Sequence, residues 1–395
     1  MGVRSVRRRV STVDLATDLI AIPSHNTDRT DESAAGDAIE AWLREHSSAT
    51  VRRDDAPRGG NVIARAGPAG DPELALVGHH DVVEPAEGHL SEDGFAVDRR
   101  DGRLYGRGSA DMKGSLAAAM VAFVRIAERA DEPIAFASFV GEEAGGVGCR
   151  WAIDEGFAPE RAIVLEGSTG YVDEGSTGEE DRTADGETAI TDVAVAHKGR
   201  RALDVEASGT AAHASVGADG DNAIYRAHDA IDSLRAIDPP TRTIADQTVE
   251  GSVAVTEIEG GSSWNVIPEA CSVTVDERTI PGDRIDTDAI DGPGVDVWVE
   301  QDLPPMVCDD DAFVAVAIDA AREAVVDASA AREPRRIVKP HATDAGWLSD
   351  RAGTDCLVIG AAEPGEAHTD DESVSIDAIE RCRRIDEWIA REIVT

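Results

Sequence analysis

Four short apolar runs punctuate the chain, at Leu74 to Val77, Ile134 to Val140, Ile163 to Leu165 and Leu357 to Ile359. Runs this brief, without polar alternation, predict strands buried on both faces of a parallel sheet. Helical spacing lies between and around them. Leu15, Leu19 and Ile22 behind a Ser11/Thr12 cap mark a helix over residues 11–22, Ala35, Ile39, Trp42 and Leu43 mark a second, and Ser115 to Ala130 a third. Alternating strands and helices between residues 61 and 165 predict an α/β layer sandwich. Residues 167–190 have few large apolar side chains and read as a solvated loop. Beyond them the pattern turns to alternation, in DVAVAH, ALDVEAS, SVAVTEI, CSVTVDE and VDVWVE. One clear helix interrupts these strands, Asn222 to Ile237, with Ile224, Ala227, Ile231 and Leu234 on one face, and a weaker one is placed near 283–291. Half-exposed strands with helices on the other side predict a small α+β module over 191–301. From Asp310 the buried type returns, with helix Phe313 to Val326, strand Cys356 to Gly360, and a last helix through Ile379, Cys382, Ile385, Ile389 and Ile393.

At 395 residues the chain is too long for one ordinary core, and two or three domains are expected. Charge changes the picture more. Asp and Glu number 78 against 38 Lys and Arg, a formal net charge of -40, which argues against a nucleic-acid partner because phosphate needs the opposite sign. The acid is spread along the whole chain, and only three lysines (Lys113, Lys198, Lys339) stand against 35 arginines. That distribution reads as adaptation to molar salt, where the Debye length falls to ~3 Å at 1 M, rather than as one acidic face for a cationic partner. Cys149, Cys271, Cys308, Cys356 and Cys382 are scattered, odd in number and without a C-x-x-C pair, which fits buried thiols in a reducing cytosol. The opening MGVRSVRRRV fails as a twin-arginine signal because Asp14 and Asp18 interrupt the following segment. No stretch approaches a membrane span in length, so a soluble, cytoplasmic protein without a membrane partner is expected.

The chemistry sits where the apolar runs end. His79 and Asp81, Glu142 with Glu143, Glu166, and His368 follow the four runs, and Asp111 stands just before a helix. In an open α/β sheet the loops at the strands' carboxyl ends form the ligand crevice, so these side chains should converge. Imidazoles and carboxylates meeting there suit a pair of Zn²⁺-like cations, since a carboxylate has two oxygens with which to bridge. If His79 and His368 share the site, the first and last segments form one domain, 1–190 with 302–395, and the middle module is an insertion. In GHHDVV the H-x-D spacing lets Asp81 fix the tautomer of His79, with His80 as the alternative ligand. Taken in isolation, Asp111 in GRGSADMKGS has a helix cap as its plainer role, and the Lys-Gly-Ser order there is not that of a phosphate loop. In FVGEEAGG the adjacent carboxylates at a strand end can face a metal and a water separately.

Taken in order, GHHDVVEP, GRGSADMKG, GEEAGGVG, LEGST, AAHAS, NVIP and AHTDDE resemble the zinc-dependent aminoacylase, acetylornithine deacetylase, succinyl-diaminopimelate desuccinylase and glutamate carboxypeptidase superfamily. The resemblance implies a mixed-sheet α/β/α catalytic domain and a ferredoxin-like inserted lid and dimerisation domain, hence a homodimer. It implies two Zn²⁺ per subunit, replaceable by Co²⁺, with His79 and Glu166 on one, Glu143 and His368 on the other, and Asp111 bridging. Glu142 would be the general base, Asp81 the orienter of His79, and His213 in GTAAHAS the lid histidine that stabilises the tetrahedral oxyanion. Asn265 and Arg278 match substrate-contacting positions, Arg278 as the partner of the substrate carboxylate, although from the residues alone His213 reads as a surface loop residue and a strand-edge ion pair with a neighbouring acid is the plainer role for Arg278. Two departures stand out: Gly167 where a proline is common, and the long segment 168–190. The implied activity is hydrolysis of the amide of an N-acyl amino acid, as in acetylornithine deacetylase or succinyl-diaminopimelate desuccinylase, with a carboxypeptidase or dipeptidase acting on short peptides as the alternative. A non-catalytic binding protein would predict losses among Glu142, Asp111 or His368, and none is lost. A dinuclear phosphoesterase lacks an obvious phosphate clamp here.

Overall fold

The computed structural model describes residues 10–26, 31–171, 189–290, 292–325 and 332–395. The chain forms two compact units: Met1–Val195 with Val307–Lys339 and Thr343–Thr395, and Ala196–Met306 with Pro340–Ala342.

The first unit is built on a mixed sheet of nine strands among the described residues. At its centre Ile134–Phe139, Leu74–His79, Arg161–Val164 and Asp355–Val358 lie side by side and parallel, as the apolar runs predict. Every residue of the first two is buried, so both faces of the sheet are covered. Helix Gly114–Ala127 (GSLAAAMVAFVRIA) lies almost wholly inside, its small residues allowing close approach to the helix Ile376–Val394. The latter turns Ile379, Cys382, Ile385 and Ile389 inward at helical spacing. Helix Thr12–Ile20 packs on both, its Ser11 cap accepting from the Asp14 N–H at 3.2 Å. It ends two residues earlier than the spacing predicts, so Ile22 lies beyond it. The five cysteines are unpaired and four of them buried. Among the described residues no helix is long and apolar enough to cross a membrane.

The second unit is an antiparallel sheet in the order Ser252–Gly260, Ala270–Arg278, Arg200–Ser208, Val295–Leu303. Alternation holds here: Leu203, Val205, Val273 and Val275 face inward against Ala223, Ala227, Ala230 and Leu234 of helix Ala223–Arg235. Of the expected face, Ala227 and Leu234 are buried and Ile231 packs partly against the same core, but Ala223 and Ala230 take the remaining inward positions while Ile224 stays 37% exposed. The weaker helix near 283–291 is only a single 3₁₀ turn, Thr287–Ile290, and residue 291 lies outside the described residues.

One strand joins a different sheet from the one its pattern predicts, and it straddles the boundary between the units. DVAVAH becomes Val193–His197, buried at all five positions and paired into the large sheet. Its alternation is of large with small apolar side chains, not of apolar with polar, so it carries no exposed face. The compact insertion accordingly starts at Ala196 and ends at Met306 rather than spanning 191–301. Of the segment expected to be a solvated loop, residues 172–188 lie outside the described residues, as do residues 1–9 with their arginines and Val326. The start of that segment is not solvated: Ser168 and Thr169 are buried, Ser168 Oγ donating to Asp192 O at 2.6 Å and Thr169 Oγ1 accepting from Asp192 N at 3.0 Å.

Candidate metal centre

The parallel strands deliver their ligand-type residues to one place in the first unit. His79 is the last residue of its strand, Glu142 and Glu143 occupy the turn after Phe139, and Glu166 follows Val164 by two residues. Asp111 lies in the tight turn Ser109–Lys113, and Ser373–Ser375 pairs with Arg103–Tyr105, tying the loop of His368 to that turn. His79 Nε2 stands 3.0 Å from Asp111 Oδ1 and 3.7 Å from Glu166 Oε1. His368 Nε2 stands 3.0 Å from Asp111 Oδ2 and 2.9 Å from Glu143 Oε1. Two groups result, His79, Glu142 and Glu166, and Asp111, Glu143 and His368, each with ligand atoms within 4.8 Å of one another. Asp111 thus offers one oxygen to each imidazole.

The donor set fits a pair of divalent cations. Ligand atoms on a tetrahedral cation with bonds of ~2.0–2.1 Å stand ~3.3 Å apart, and the contacts of 2.9–3.7 Å bracket that edge. His79 Nδ1 is occupied, 3.1 Å from the Asp81 carbonyl and 3.3 Å from Asp81 Oδ1, which leaves Nε2 to face the cluster. His80 does not join it. Neighbouring residues of a strand point to opposite faces, and His80 Nδ1 meets Ser138 Oγ at 2.8 Å. Burial pushes its imidazole down to about 3.

Electrostatics show the same need for positive charge. Burial alone would lower the His79 imidazole, but hydrogen bonds to Asp111 and Asp81 carry it well above its usual value. The His368 imidazole is raised to about 10 by Asp111 and Glu143. Burial pushes Glu142 well above the usual carboxylate range, helped by the neighbouring Glu166. Protons held this way are what a bound cation displaces.

Three buried carboxylates hold the loops in place. Asp81 accepts the backbone N–H groups of Glu142 and Glu143, both at 3.1 Å. Glu32 Oε2 accepts from the Gly141 N–H at 2.9 Å. Glu372 Oε1 accepts from the Ala110 and Asp111 N–H groups at 3.1 and 3.2 Å, while its other oxygen pairs with Arg107. Nothing in the sequence separates Glu32 and Glu372 from the chain's other acids, except that Glu372 ends the AHTDDE island. Lys339 carries no sequence motif either. Its Nζ stands 3.0 Å from Glu166 Oε2, and although burial opposes its charge, Glu166 and Tyr171 raise it above the usual lysine value.

His213, Asn265 and Arg278 belong to the second unit. There the pairing of Ala212–His213 with Val266–Ile267 brings His213 Nε2 to 3.4 Å from Asn265 Nδ2, and His213 Nδ1 meets Ser215 Oγ at 2.7 Å. Arg278 Nε donates to Asp276 Oδ1 at 2.7 Å, the strand-edge ion pair anticipated as its plainer role.

Known proteins are similar to this chain in sequence and in fold. The chain is 28% identical over 345 residues, 82% of either chain, to an acetylornithine deacetylase of Myxococcus xanthus. It is 27% identical over 251 residues to a probable succinyl-diaminopimelate desuccinylase of Staphylococcus aureus strain Mu50, where the match spans 56% of this chain and 57% of the relative. Among solved structures, a Staphylococcus aureus tripeptidase superposes with a TM-score of 0.72 at 21% identity, covering 97% of each chain. The Bacillus subtilis YXEP protein, described as a dinuclear metal binding peptidase, superposes with a TM-score of 0.66 at 14% identity over 97% of each chain. At these identities the superpositions show the fold. The sequence model of one family matches residues 75–390, and the chain belongs to it: peptidase family M20/M25/M40.

Proposed function

We propose that this hydrolase removes the acyl group from an N-acyl amino acid, using two Zn²⁺ ions held by His79 and Glu166, by Glu143 and His368, and by Asp111 between them. The observation that carries this reading is Asp111, whose two oxygens each face a different imidazole at 3.0 Å. When bound, the cations lower the pKa of a shared water and polarise the substrate carbonyl. Glu142 takes the water's proton as its oxygen adds to the amide carbon, then returns that proton to the nitrogen as the C–N bond breaks. A free carboxylate and a free amine result. Asp81 has two tasks, since it orients His79 and fixes the Glu142 backbone. His213 supplies a donor to the tetrahedral oxyanion and Asn265 contacts substrate beside it. Arg278 exchanges Asp276 for the substrate carboxylate, a geometry suited to guanidinium.

Deacylation is favoured over peptide cleavage by the breadth of the match to an acetylornithine deacetylase, while glutamate at position 166 fits the deacylases and carboxypeptidases of the resembling superfamily rather than its aminopeptidases, where aspartate is usual. The test is release of free amine from N-acetyl, N-succinyl and dipeptide substrates in molar KCl with Zn²⁺ or Co²⁺ added. Turnover of the N-acyl substrates is expected to dominate; hydrolysis confined to dipeptides overturns the deacylase reading in favour of a carboxypeptidase or dipeptidase. Glu142→Ala should lower turnover by ~10² or more with metal content intact, and unchanged turnover removes Glu142 as the base.

A homodimer through the second unit completes the reading. Ser252–Gly260 is an edge strand with Val255 38% and Ile258 57% exposed, the kind of surface that pairs with a second copy. Sedimentation should show a dimer in molar KCl and a monomer for Val255→Asp. A wild-type monomer at micromolar concentration refutes the assembly.

A further inference from the structure

Lys339 ends the strand Arg336–Lys339 and is only 3% exposed. Its ammonium has a compact, specific target, Oε2 of Glu166 at 3.0 Å, while the other oxygen of the same carboxylate faces His79 Nε2 at 3.7 Å. The two oxygens of Glu166 therefore serve different partners, one the ligand cluster and one a fixed positive charge. Of the four carboxylates in the cluster, Glu142, Glu143, Glu166 and Asp111, Glu166 is the one paired with an ammonium among the described residues. The choice of residue fits the place. In a chain with 35 arginines and three lysines, a planar fork of five donors would leave several unpaired in this buried pocket, whereas an ammonium is a compact point charge. With so little of it exposed and its charge already paired, Lys339 is not placed to receive a substrate carboxylate.

Resting on the two-cation reading above, we infer that Lys339 is a positioning residue that confines Glu166 to a single ligand oxygen and weakens it as a donor. Two effects act together. The hydrogen bond takes the second oxygen out of competition for the cation, and the ammonium charge draws electron density from the carboxylate and repels a cation beside it. The first site, that of His79 and Glu166, is thereby kept the weaker and the more electron-poor of the two. An electron-poor site polarises a carbonyl more strongly, so the lost affinity serves the chemistry.

The test measures metal binding directly. Wild-type protein and Lys339→Met, which keeps the length and burial of the side chain, are stripped of metal and titrated with Zn²⁺ against a competing chelator. Lys339→Met should bind its first-site ion ~10–100-fold more tightly, the range over which groups behind a ligand act, with the second site unchanged. The Co²⁺-loaded variant should absorb more weakly in the visible as the freed oxygen raises the coordination number, and its turnover should fall. Lys339→Arg, which restores the charge but brings donors the pocket does not match, should return affinity part of the way toward the wild-type value. If wild type binds two ions and a cooperatively melting Lys339→Met binds the first with equal or lower affinity, the inference is overturned while the function stands. If wild type binds no pair of ions, the two-cation reading itself falls.

Discussion

Asp386 is fully buried on the helix Ile376–Val394, and neither of its carboxylate oxygens has a hydrogen-bond partner among the described residues. It contrasts with Asp81 and Glu372, equally buried, whose oxygens are engaged by backbone N–H groups. Burial pushes the Asp386 carboxyl well above its usual value, with Arg383 opposing only in part. The folded state therefore keeps its proton where the unfolded chain has released it. Folded binds more protons than unfolded once pH exceeds ~4, the value for a solvated Asp, so stability falls as pH rises from there. Asp386→Asn removes that dependence. Its advantage over wild type should be smallest at pH 4 and widen toward pH 7, by up to ~1.4 kcal/mol for each pH unit over which the folded carboxyl keeps a proton that the unfolded chain has released. Denaturant melts of both proteins across that range decide it, and a gap that does not widen with pH means the carboxylate is matched in solution.

At the scale of elements, what is legible in the sequence follows from how each element is buried. Strands Leu74–His79 and Ile134–Phe139 are covered on both faces, so their apolar runs announce them and the loops after them mark the site. Val193–His197 is covered on both faces too, but its Val-Ala-Val-Ala order imitates a half-exposed strand and points to the wrong sheet. Helix Ala223–Arg235 shows the converse limit. Side-chain size suggests that Ile224 faces inward, yet the close approach to the sheet is made by Ala223, Ala227 and Ala230, and Ile224 faces outward. His79, Glu142, Glu143 and Glu166 are readable as a cluster because their types and their positions after strands agree, while Asp111 is marked only by its glycine-rich turn. Glu32, Glu372 and Lys339 are not, because their roles depend on which backbone amide or carboxylate lies opposite, and that is set by elements distant in sequence: Gly141 for Glu32, Asp111 for Glu372 and Glu166 for Lys339. Only the scarcity of lysine hints at the last.

For the whole molecule charge outweighs every other feature of composition. The formal net charge of -40 is distributed along all 395 residues, and many of the arginines are already committed to exposed pairs such as Arg44–Glu40, Arg125–Glu387 and Arg351–Asp154. Pairs of that kind contribute ~0–1 kcal/mol each, so they do not offset the repulsion among the unpaired acids. At ~0.01 M salt the Debye length is ~30 Å, comparable with a domain, and the negative charges act on one another across it. At ~1 M it shrinks to ~3 Å and only neighbours interact. The compact state should therefore gain several kcal/mol between dilute and molar KCl, seen as a rise in Tm of ~10 °C or more for domains of this size. The inner carboxylates of the site respond differently: buried among loops fixed by Asp81, Glu32 and Glu372, they are screened little by salt and depend on bound cations instead. Saturating Zn²⁺ should then raise Tm further even in ~2 M KCl, because it binds only the folded chain. A Tm that is flat in KCl would return the acidic composition to the other reading, a face for a cationic partner.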